Sequence, residues 1–564
     1  MKKERVRSPT EFVLFIPAHR DYDTKVQILY MGKAGVDMKR FVLILIITLF
    51  AVPATLWAVN DPIRVEQGQL SGTTGKNPEV RVYKGIPYAA PPVGDRRWKP
   101  PLPAAHWRGV REAKEFGNAC WQTPYPGNSF YQSKLPPLSE DCLTLNIWTA
   151  AKSGKEKLPV MVWIHGGGFT RGSGRSPGYD GENFAGKGVV LVTINYRLGI
   201  FGFLAHPTLT AESEHHASGN YAILDQIAAL QWVKKNIAAF GGDPGKVTIF
   251  GESAGSWAVN VLMASPLAKG LFERVIGESG GQFSPMKSLA DAEKAGDRFA
   301  SSLGVTADVL KTLRAKPAEE LLKAGDAPTA SPDVDGWVLP QETNAIFAEG
   351  KQNDAPLIVG FNADEGTTLA PQLAQTTAAS FNSRIQQTYG NSAGEFLKVY
   401  PGGSDSEAVT SSYSAYRDQV FGWQMRTWAR LATKTGHHPA YLYYFTHRPP
   451  GPQSERLRAF HAAEIPYVFG NFFWPFPWED ADHKLSDVIS SYWVNFAKTG
   501  DPNGAGLAKW PAYNPETDQA LEFGDQIGVR SQVNKAGLDF FDGYYQGLRA
   551  KAPAPTSGTN ASNK

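Results

Sequence analysis

The sequence contains little cysteine: Cys120 and Cys142 are the only two among its 564 residues. This count excludes a small scaffold held together by several disulfides, and it excludes a metal site built from a cluster of thiolates. Two cysteines can still form one disulfide in an oxidising compartment, or they can remain two buried free thiols. The count alone leaves both alternatives open.

The chain also lacks an excess of charge of either sign. It carries 57 Lys and Arg residues against 54 Asp and Glu residues, which gives a formal net charge of +3. Because nucleic-acid binding depends on a concentrated positive surface, we expect no nucleic-acid partner. The mean hydropathy of −0.30 excludes a protein with many membrane spans, and the hydrophobic share of 42% is sufficient for a large core.

A long apolar run occurs near the N-terminus. Met38, Lys39 and Arg40 precede an uncharged stretch at 41–59, in which small residues follow the apolar segment. A basic patch, a short apolar segment and small residues are typical of a secretory signal peptide. We therefore predict a signal peptide at residues 38–58. The alternative is an uncleaved anchor, because the stretch is close to the minimum length for a membrane span.

This interpretation determines the expected domain organisation. Residues 1–37 are expected to be a non-native or disordered extension, with the true start at Met38. Residues 551–564 are rich in Pro, Ser and Asn and are expected to be a disordered tail. Export would place the mature protein outside the cytoplasm, secreted or periplasmic, without a membrane span in the mature chain.

Short apolar runs bounded by Gly, Pro or Lys follow Cys142. Such runs are typical of strands buried on both faces of a sheet, and they lie at 145–148, 160–164, 189–194, 247–250, 357–359 and 441–445. Apolar residues recur at helical spacing over 221–237. The order strand, helix, strand predicts an α/β protein with a mostly parallel central sheet flanked by helices. The Ala- and Leu-rich stretch at about 285–339 is expected to be helical.

A candidate nucleophile, Ser253, lies in the sequence Gly-Glu-Ser-Ala-Gly at 251–255. This sequence fits G-x-S-x-G, and it follows a predicted strand and precedes a predicted helix. A sharp turn between strand and helix exposes the serine hydroxyl, and the helix N-terminus favours developing negative charge. Ser279 lies in a second match, at 277–281, but no periodic helix follows it. We predict Ser253 as the nucleophile and a structural role for Ser279.

Three glycines follow the predicted strand at 160–164, in the sequence His-Gly-Gly-Gly-Phe at 165–169. With the N–H of Ala254, the N–H groups of Gly167 and Gly168 are predicted to bind the oxyanion of a tetrahedral intermediate. The alternative is a plain glycine-rich turn. A nucleotide site is disfavoured, because this run does not fit G-x-G-x-x-G, and residues 241–247 lack the spacing and the Ser or Thr of a phosphate-binding loop.

These segments together resemble the type B carboxylesterase family, the group that includes cholinesterases and bacterial para-nitrobenzyl esterases. The resemblance extends from about Pro62 to Tyr545. Its motifs occur in the family's order, at 85–94, 139–148, 165–169, 195–199, 240–244, 251–255 and 493–498. The resemblance implies one large α/β-hydrolase domain at residues 62–548 that hydrolyses small carboxylic esters without a metal or organic cofactor. It leaves the oligomeric state open.

The resemblance also implies the other two catalytic residues. The family's acid is a Glu before Gly, which here is Glu365, and the family's base lies in H-x-x-E-I-P-Y-V-F-G, which here begins at His461. The order Ser, acid, His is the order expected for this fold. Asp364 is an alternative acid that we rank below Glu365. Structural or solvated roles are expected for the other histidines that follow the acid, namely His437, His438, His447 and His483.

Further features follow from the resemblance. It pairs Cys120 with Cys142 in a disulfide, and it pairs Arg197 with Asp225 in a buried structural ion pair. Cholinesterases carry a Trp ten residues before the second cysteine, where this chain has Gln132, so choline specificity is not expected. The loop between the cysteines is polar, which disfavours activation at an oil surface.

An aromatic segment at 471–478 follows the histidine motif. It is expected either to line a pocket for an apolar substrate group or to pack in the core. The predicted function is that of a serine carboxylesterase that forms an acyl-enzyme. The alternatives are a hydrolase for amides, carbamates, polyesters or lipid esters, and a non-catalytic adhesion module of the same fold.

Overall fold

The computed structural model of the chain describes residues 61–125, 129–131, 137–325 and 330–551. The predicted signal peptide, the extension before it, Gln132 and the tail beyond Lys551 lie outside the described residues. In the described part of the chain, no helix combines the length and the apolar character that a membrane span requires.

A mixed sheet of eleven strands dominates the described residues. In spatial order its strands are β16 (Ile527–Ser531), β15 (Gln519–Phe523), β14 (Ala440–Phe445), β13 (Leu357–Asn362), β12 (Arg274–Glu278), β11 (Gly242–Glu252), β9 (Leu158–Ile164), β10 (Val190–Ile194), β8 (Thr144–Thr149), β4 (Arg81–Pro87) and β3 (Thr73–Thr74). Neighbours from β15 across to β10 run parallel, and the strands at the two edges run antiparallel. The remaining strands form small separate sheets: β1 (Ile63–Val65), β2 (Gly68–Ser71), β5 (Val110–Glu112), β6 (Ala119–Cys120) and β7 (Leu138–Ser139).

Helices connect the parallel strands and flank the sheet. In chain order the α-helices are α1 (Glu182–Gly186), α2 (Gly199–Phe203), α3 (Pro207–Glu212), α4 (Tyr221–Asn236), α5 (Ala254–Ala264), α6 (Leu289–Ser302), α7 (Val309–Ala315), α8 (Ala318–Lys323), α9 (Thr343–Ala348), α10 (Gly366–Leu369), α11 (Ala378–Tyr389), α12 (Ala393–Val399), α13 (Asp405–Arg417), α14 (Trp423–Thr435), α15 (Ser454–Leu457), α16 (Ile465–Phe469), α17 (Asp480–Thr499) and α18 (Lys535–Lys551). This arrangement confirms the predicted α/β-hydrolase fold, a mostly parallel sheet flanked by helices.

Each face of the sheet carries its own apolar core. Along β9, Val160, Val162 and Ile164 contribute to one core, while Met161 and Trp163 contribute to the other. Side chains of a strand alternate between the two faces of a sheet, so a strand with a core on both sides has apolar residues throughout. This explains the uninterrupted apolar runs of the sequence.

Two details differ from the expectations. Strand β8 is fully buried, as its apolar run predicted, but it pairs antiparallel with β10. An apolar run that predicts burial on both faces therefore does not show whether the strand runs parallel or antiparallel to its neighbour. The stretch expected to be helical contains α6, α7 and α8, but the residues from 330 to 340 form no helix. Within these residues, Val334 pairs with Ser288 as an isolated β-bridge.

The predicted disulfide is present between Cys120 and Cys142. The predicted ion pair is also present and buried: Arg197 Nε lies 2.7 Å from Asp225 Oδ2, and Arg197 Nη2 lies 2.7 Å from Asp225 Oδ1. Burial disfavours the charge of Arg197, but the facing carboxylate outweighs it and raises the pKa of the guanidinium. Asp225 lies on α4, so the pair fixes this helix to the segment that follows β10.

We expect Asp225→Ala to destabilise the protein by about 3–5 kcal/mol, because it leaves a buried guanidinium without its partner. Urea unfolding of the variant and the wild-type protein measures this difference. Asp291→Ala is the matched control, since Asp291 pairs with Lys294 on the exposed surface of α6. A similar loss of stability in both variants would contradict the structural role of the buried pair.

Candidate active site

Ser253 occupies a sharp turn between β11 and α5. Its backbone angles are φ 58° and ψ −124°, in a region that residues with a side chain rarely adopt. The Ser253 N–H donates to the carbonyl of Glu278, at 2.8 Å, on the neighbouring strand β12. The turn has no space for larger neighbours, because a Cβ at Gly255 would lie 2.0 Å from the carbonyl oxygen of Ile164. These features give the geometry of a nucleophile elbow.

Ser279 follows β12 and also has a positive φ, of 51°. Its side chain is completely buried, and its hydroxyl has no hydrogen-bond partner among the described residues. The next residue, Gly280, lies beneath the elbow, since a Cβ there would be 2.4 Å from the carbonyl oxygen of Ser253. The residues of the second motif therefore pack beneath the turn that carries Ser253.

Glu365 and His461 are in contact although they lie far apart in the sequence. Glu365 follows β13 and immediately precedes α10, and His461 lies in the loop between α15 and α16. Glu365 Oε2 is 2.6 Å from His461 Nδ1, and Glu365 Oε1 accepts a hydrogen bond of 2.8 Å from the N–H of Asn362. Both side chains are buried, so the carboxylate and the imidazole are held in one orientation.

The alternative acid, Asp364, faces a different partner. Its Oδ1 lies 3.2 Å from Nε of Arg458, and its Oδ2 accepts a hydrogen bond from the N–H of Ala459. Burial raises the pKa of Asp364 above its ordinary value. The carboxylate of Asp364 thus holds the start of the histidine loop rather than the histidine itself.

The other histidines have partners away from this site or lie at the surface. His437 is exposed beside Asp354, His447 lies between two aspartates, His483 packs against an aromatic ring, and His438 is exposed. The glycine-rich motif also contains a histidine, His165, which is buried and stacked on Tyr196 with ring centroids 4.5 Å apart. Burial lowers the pKa of His165 to about 4, so this imidazole is neutral.

The second ring nitrogen of His461 faces Glu252. Its Nε2 lies 2.9 Å from Oε1 of this glutamate, the residue directly before Ser253. Within the described part of the chain the Ser253 hydroxyl makes no hydrogen bond. The imidazole is therefore placed between two carboxylates, at the side of the elbow.

A third carboxyl group, that of Glu464, completes a buried acidic cluster around His461. Asn362 Nδ2 donates to Glu464 Oε2 at 2.5 Å. Burial, together with the charges of Glu252 and Glu365, raises the pKa of Glu464 to about 8. Burial alone would lower the pKa of His461, but Glu252 and Glu365 outweigh it and raise this pKa well above 6.5. Sequence reasoning missed both Glu252 and Glu464, although each lies inside a motif that it used.

The glycine-rich segment lies against the elbow. A Cβ at Gly166 would lie 3.0 Å from Cβ of Ser253. The next two residues have positive φ values, +109° at Gly167 and +63° at Gly168. Within the described residues, the N–H groups of Gly167, Gly168 and Ala254 donate no hydrogen bond. Backbone donors without partners beside a serine are what an oxyanion hole requires.

We expect Gly167→Ala to lower kcat about 100-fold or more, the size of losing one oxyanion donor. The new Cβ would lie 2.3 Å from the main-chain oxygen of Arg171, so the backbone must move. Gly186→Ala is the control, since Gly186 lies in α1 without a positive φ and its Cβ meets nothing closer than 4.0 Å. Steady-state kinetics on a short p-nitrophenyl ester compare the two variants, and equal losses would contradict this explanation.

The aromatic segment at 471–478 packs beside the histidine loop. Trp474 and Phe476 contact Phe460, the residue before His461, with ring centroids 5.2 Å and 6.3 Å apart. Both also contact Phe130 of the loop between the cysteines, at 5.2 Å and 5.9 Å. Phe473 is the exposed ring of this segment. The rings thus join the disulfide-closed loop to the loop that carries His461.

The sheet order, the sharp turn after β11 and the loops that carry Glu365 and His461 after β13 and β14 define an α/β hydrolase. The chain belongs to the carboxylesterase family, whose family model matches residues 60–541. It is a carboxylic ester hydrolase, and the family acts on small-molecule esters.

Individual relatives cover most of the chain. Fumonisin B1 esterase of Sphingopyxis macrogoltabida is 38% identical, over 83% of this chain and 88% of the relative. Para-nitrobenzyl esterase of Bacillus subtilis is 37% identical, over 83% of this chain and 96% of the relative. The solved structure of a Geobacillus stearothermophilus carboxylesterase superimposes with a TM-score of 0.75 at 37% identity and covers 85% of this chain and 99% of that chain.

Proposed function

We propose that Ser253, Glu365 and His461 form the catalytic triad of this carboxylesterase, and that Gly167, Gly168 and Ala254 bind the oxyanion. The contact of 2.6 Å between Glu365 and His461, beside the elbow that carries Ser253, is the observation that supports this assignment most strongly. A buried acid that binds Nδ1 fixes the tautomer in which Nε2 accepts a proton.

The reaction proceeds in two halves. The imidazole turns its Nε2 from Glu252 to Ser253 and takes the hydroxyl proton while the serine oxygen attacks the ester carbonyl. The three N–H groups bind the oxyanion, and His461 returns the proton to the leaving alcohol. Water, activated by the same imidazole, then cleaves the acyl-enzyme and regenerates the serine.

The relatives suggest which esters to test first. Two of them are named for fumonisin B1 and for para-nitrobenzyl esters, and we propose that both compounds belong to the substrate range of this enzyme. The aromatic rings beside the histidine loop are consistent with a large apolar group in the substrate, because such rings offer apolar surface.

We also propose that the mature enzyme is secreted or periplasmic, with residues 38–58 removed as a signal peptide and 62–548 as the catalytic domain. The disulfide between Cys120 and Cys142 supports this location, because disulfides persist in oxidising compartments. Expression with the native N-terminus, followed by N-terminal sequencing of the exported protein, tests this location. An uncleaved chain retained in the cytoplasm would contradict it.

Labelling with a fluorophosphonate tests the catalytic assignment directly. We expect one label per chain, on the peptide that contains Ser253, and loss of ester hydrolysis in parallel with labelling. Mass spectrometry of the digested protein locates the label. A label on Ser279, or hydrolysis that continues in the fully labelled protein, would contradict the proposal.

A further inference from the structure

Tyr131 contacts the two catalytic segments through one hydroxyl group. Its hydroxyl donates to the main-chain carbonyl of His461 at 2.7 Å, and its oxygen lies 2.7 Å from Oγ1 of Thr368. Since the single phenolic proton is used at His461, the Thr368 hydroxyl donates to Tyr131. Tyr131 itself belongs to the segment closed by the disulfide between Cys120 and Cys142.

The two partners belong to the loops that carry the acid and the base. Thr368 lies in α10, which begins directly after Glu365. The Tyr131 hydroxyl therefore bridges the segments on both sides of the Glu365–His461 contact, yet it touches neither the carboxylate nor the imidazole. Burial raises the pKa of Tyr131 well above 10, so the phenol keeps the proton that it donates.

Neighbouring residues fix the position of Tyr131. The ring of Phe130 packs edge-on against Phe460, with centroids 5.0 Å apart. Near the start of the disulfide-closed segment, Gln122 and Gly172 exchange two hydrogen bonds of 2.9 Å, and Gly172 lies four positions after Gly168 in the chain. The segment is thus attached both to the histidine loop and to the chain that follows the oxyanion glycines.

We propose that Tyr131 is a positioning residue, whose hydroxyl holds the main chain of His461 and the α10 segment in the register that brings the imidazole to Glu365 and Ser253. This inference rests on the proposed function, in which His461 is the base. It assigns a role to a residue between the cysteines that no sequence motif indicated. The chemistry depends on positions within about 1 Å, so loss of the bridge slows the chemical step and leaves substrate binding intact.

Tyr131→Phe tests this role, because it removes the hydroxyl and keeps the ring. We expect kcat for a p-nitrophenyl ester to fall about 10- to 100-fold, the range expected for a small misplacement of a catalytic group, with KM little changed. The rate of fluorophosphonate labelling at Ser253 should fall in parallel, because it reports the same activated hydroxyl. Tyr125→Phe is the matched control: Tyr125 packs on Tyr131 with centroids 5.9 Å apart, and its hydroxyl makes no hydrogen bond among the described residues.

Thr368→Val provides an independent measurement. If the bridge acts as a unit, this variant also lowers kcat, and the double variant loses less than the product of the two single effects. An unchanged kcat in Tyr131→Phe, or a fall in thermal stability without a fall in kcat, would overturn the positioning role. An error in the proposed catalytic assignment would be detected separately, because the Ser253→Ala variant would then still hydrolyse the ester.

Discussion

Ser253→Ala should abolish ester hydrolysis, whereas Ser279→Ala should retain most of it. We expect the first variant to lose kcat by a factor of at least about 10⁴, the scale on which a catalytic triad without its nucleophile fails. Ser253 lies at the turn between β11 and α5, where its side chain is partly exposed. Initial rates with a short p-nitrophenyl ester at saturating concentration measure both variants.

Ser279 is a matched control within the same chain. It also lies in G-x-S-x-G, also follows a parallel strand and also has a positive φ. Its side chain, however, is completely buried beneath the elbow. Substrate cannot reach this hydroxyl while the core is intact, so Ser279→Ala should change stability more than the rate. Full activity in Ser253→Ala would contradict the nucleophile assignment.

The fold and the elbow could be predicted because they leave local traces in the sequence. A strand with a core on both faces is apolar at every position, and Val160 to Ile164 show this directly. Gly251 and Gly255 are required because a Cβ at either position would clash with the carbonyl oxygen of Ile164. Both patterns occupy a few consecutive residues and can therefore be read from the sequence, although the contacts that require them, such as the one with Ile164, join distant parts of the chain.

Contacts between distant residues left no such trace. Glu365 and His461 are 96 positions apart, and only the family resemblance suggested that they meet. The motif around Ser253 includes Glu252, but the sequence does not show that this carboxylate lies 2.9 Å from the imidazole. The role of Tyr131 could not be predicted, because its hydrogen bonds join three segments that are distant in the chain, namely its own segment, α10 and the loop of His461.

Glu365→Gln should lower kcat about 10³- to 10⁴-fold and leave KM little changed, since replacing a triad carboxylate by its amide favours the wrong imidazole tautomer. The amide NH₂ would face Nδ1, so the proton of the imidazole moves to Nε2, where it blocks acceptance of the serine proton. Asp364→Asn is the matched control, because Asp364 directly precedes Glu365 in the sequence. The Asp364 carboxylate binds Arg458 instead of the histidine, so the Asp364→Asn variant should retain most of the activity.

The pH dependence of the two variants separates a change of charge from a change of structure. Burial lowers the pKa of His461, but Glu252 and Glu365 outweigh it and raise this pKa well above 6.5. The base must be neutral to act, so activity of the wild-type enzyme falls as the pH decreases through that pKa. In Glu365→Gln one of the two negative charges is lost, the imidazolium is stabilised less, and the acid limb of kcat/KM shifts to lower pH. The profile of Asp364→Asn should keep the wild-type limb, and a shift of equal size in both variants would show that Glu365 has no special relation to His461.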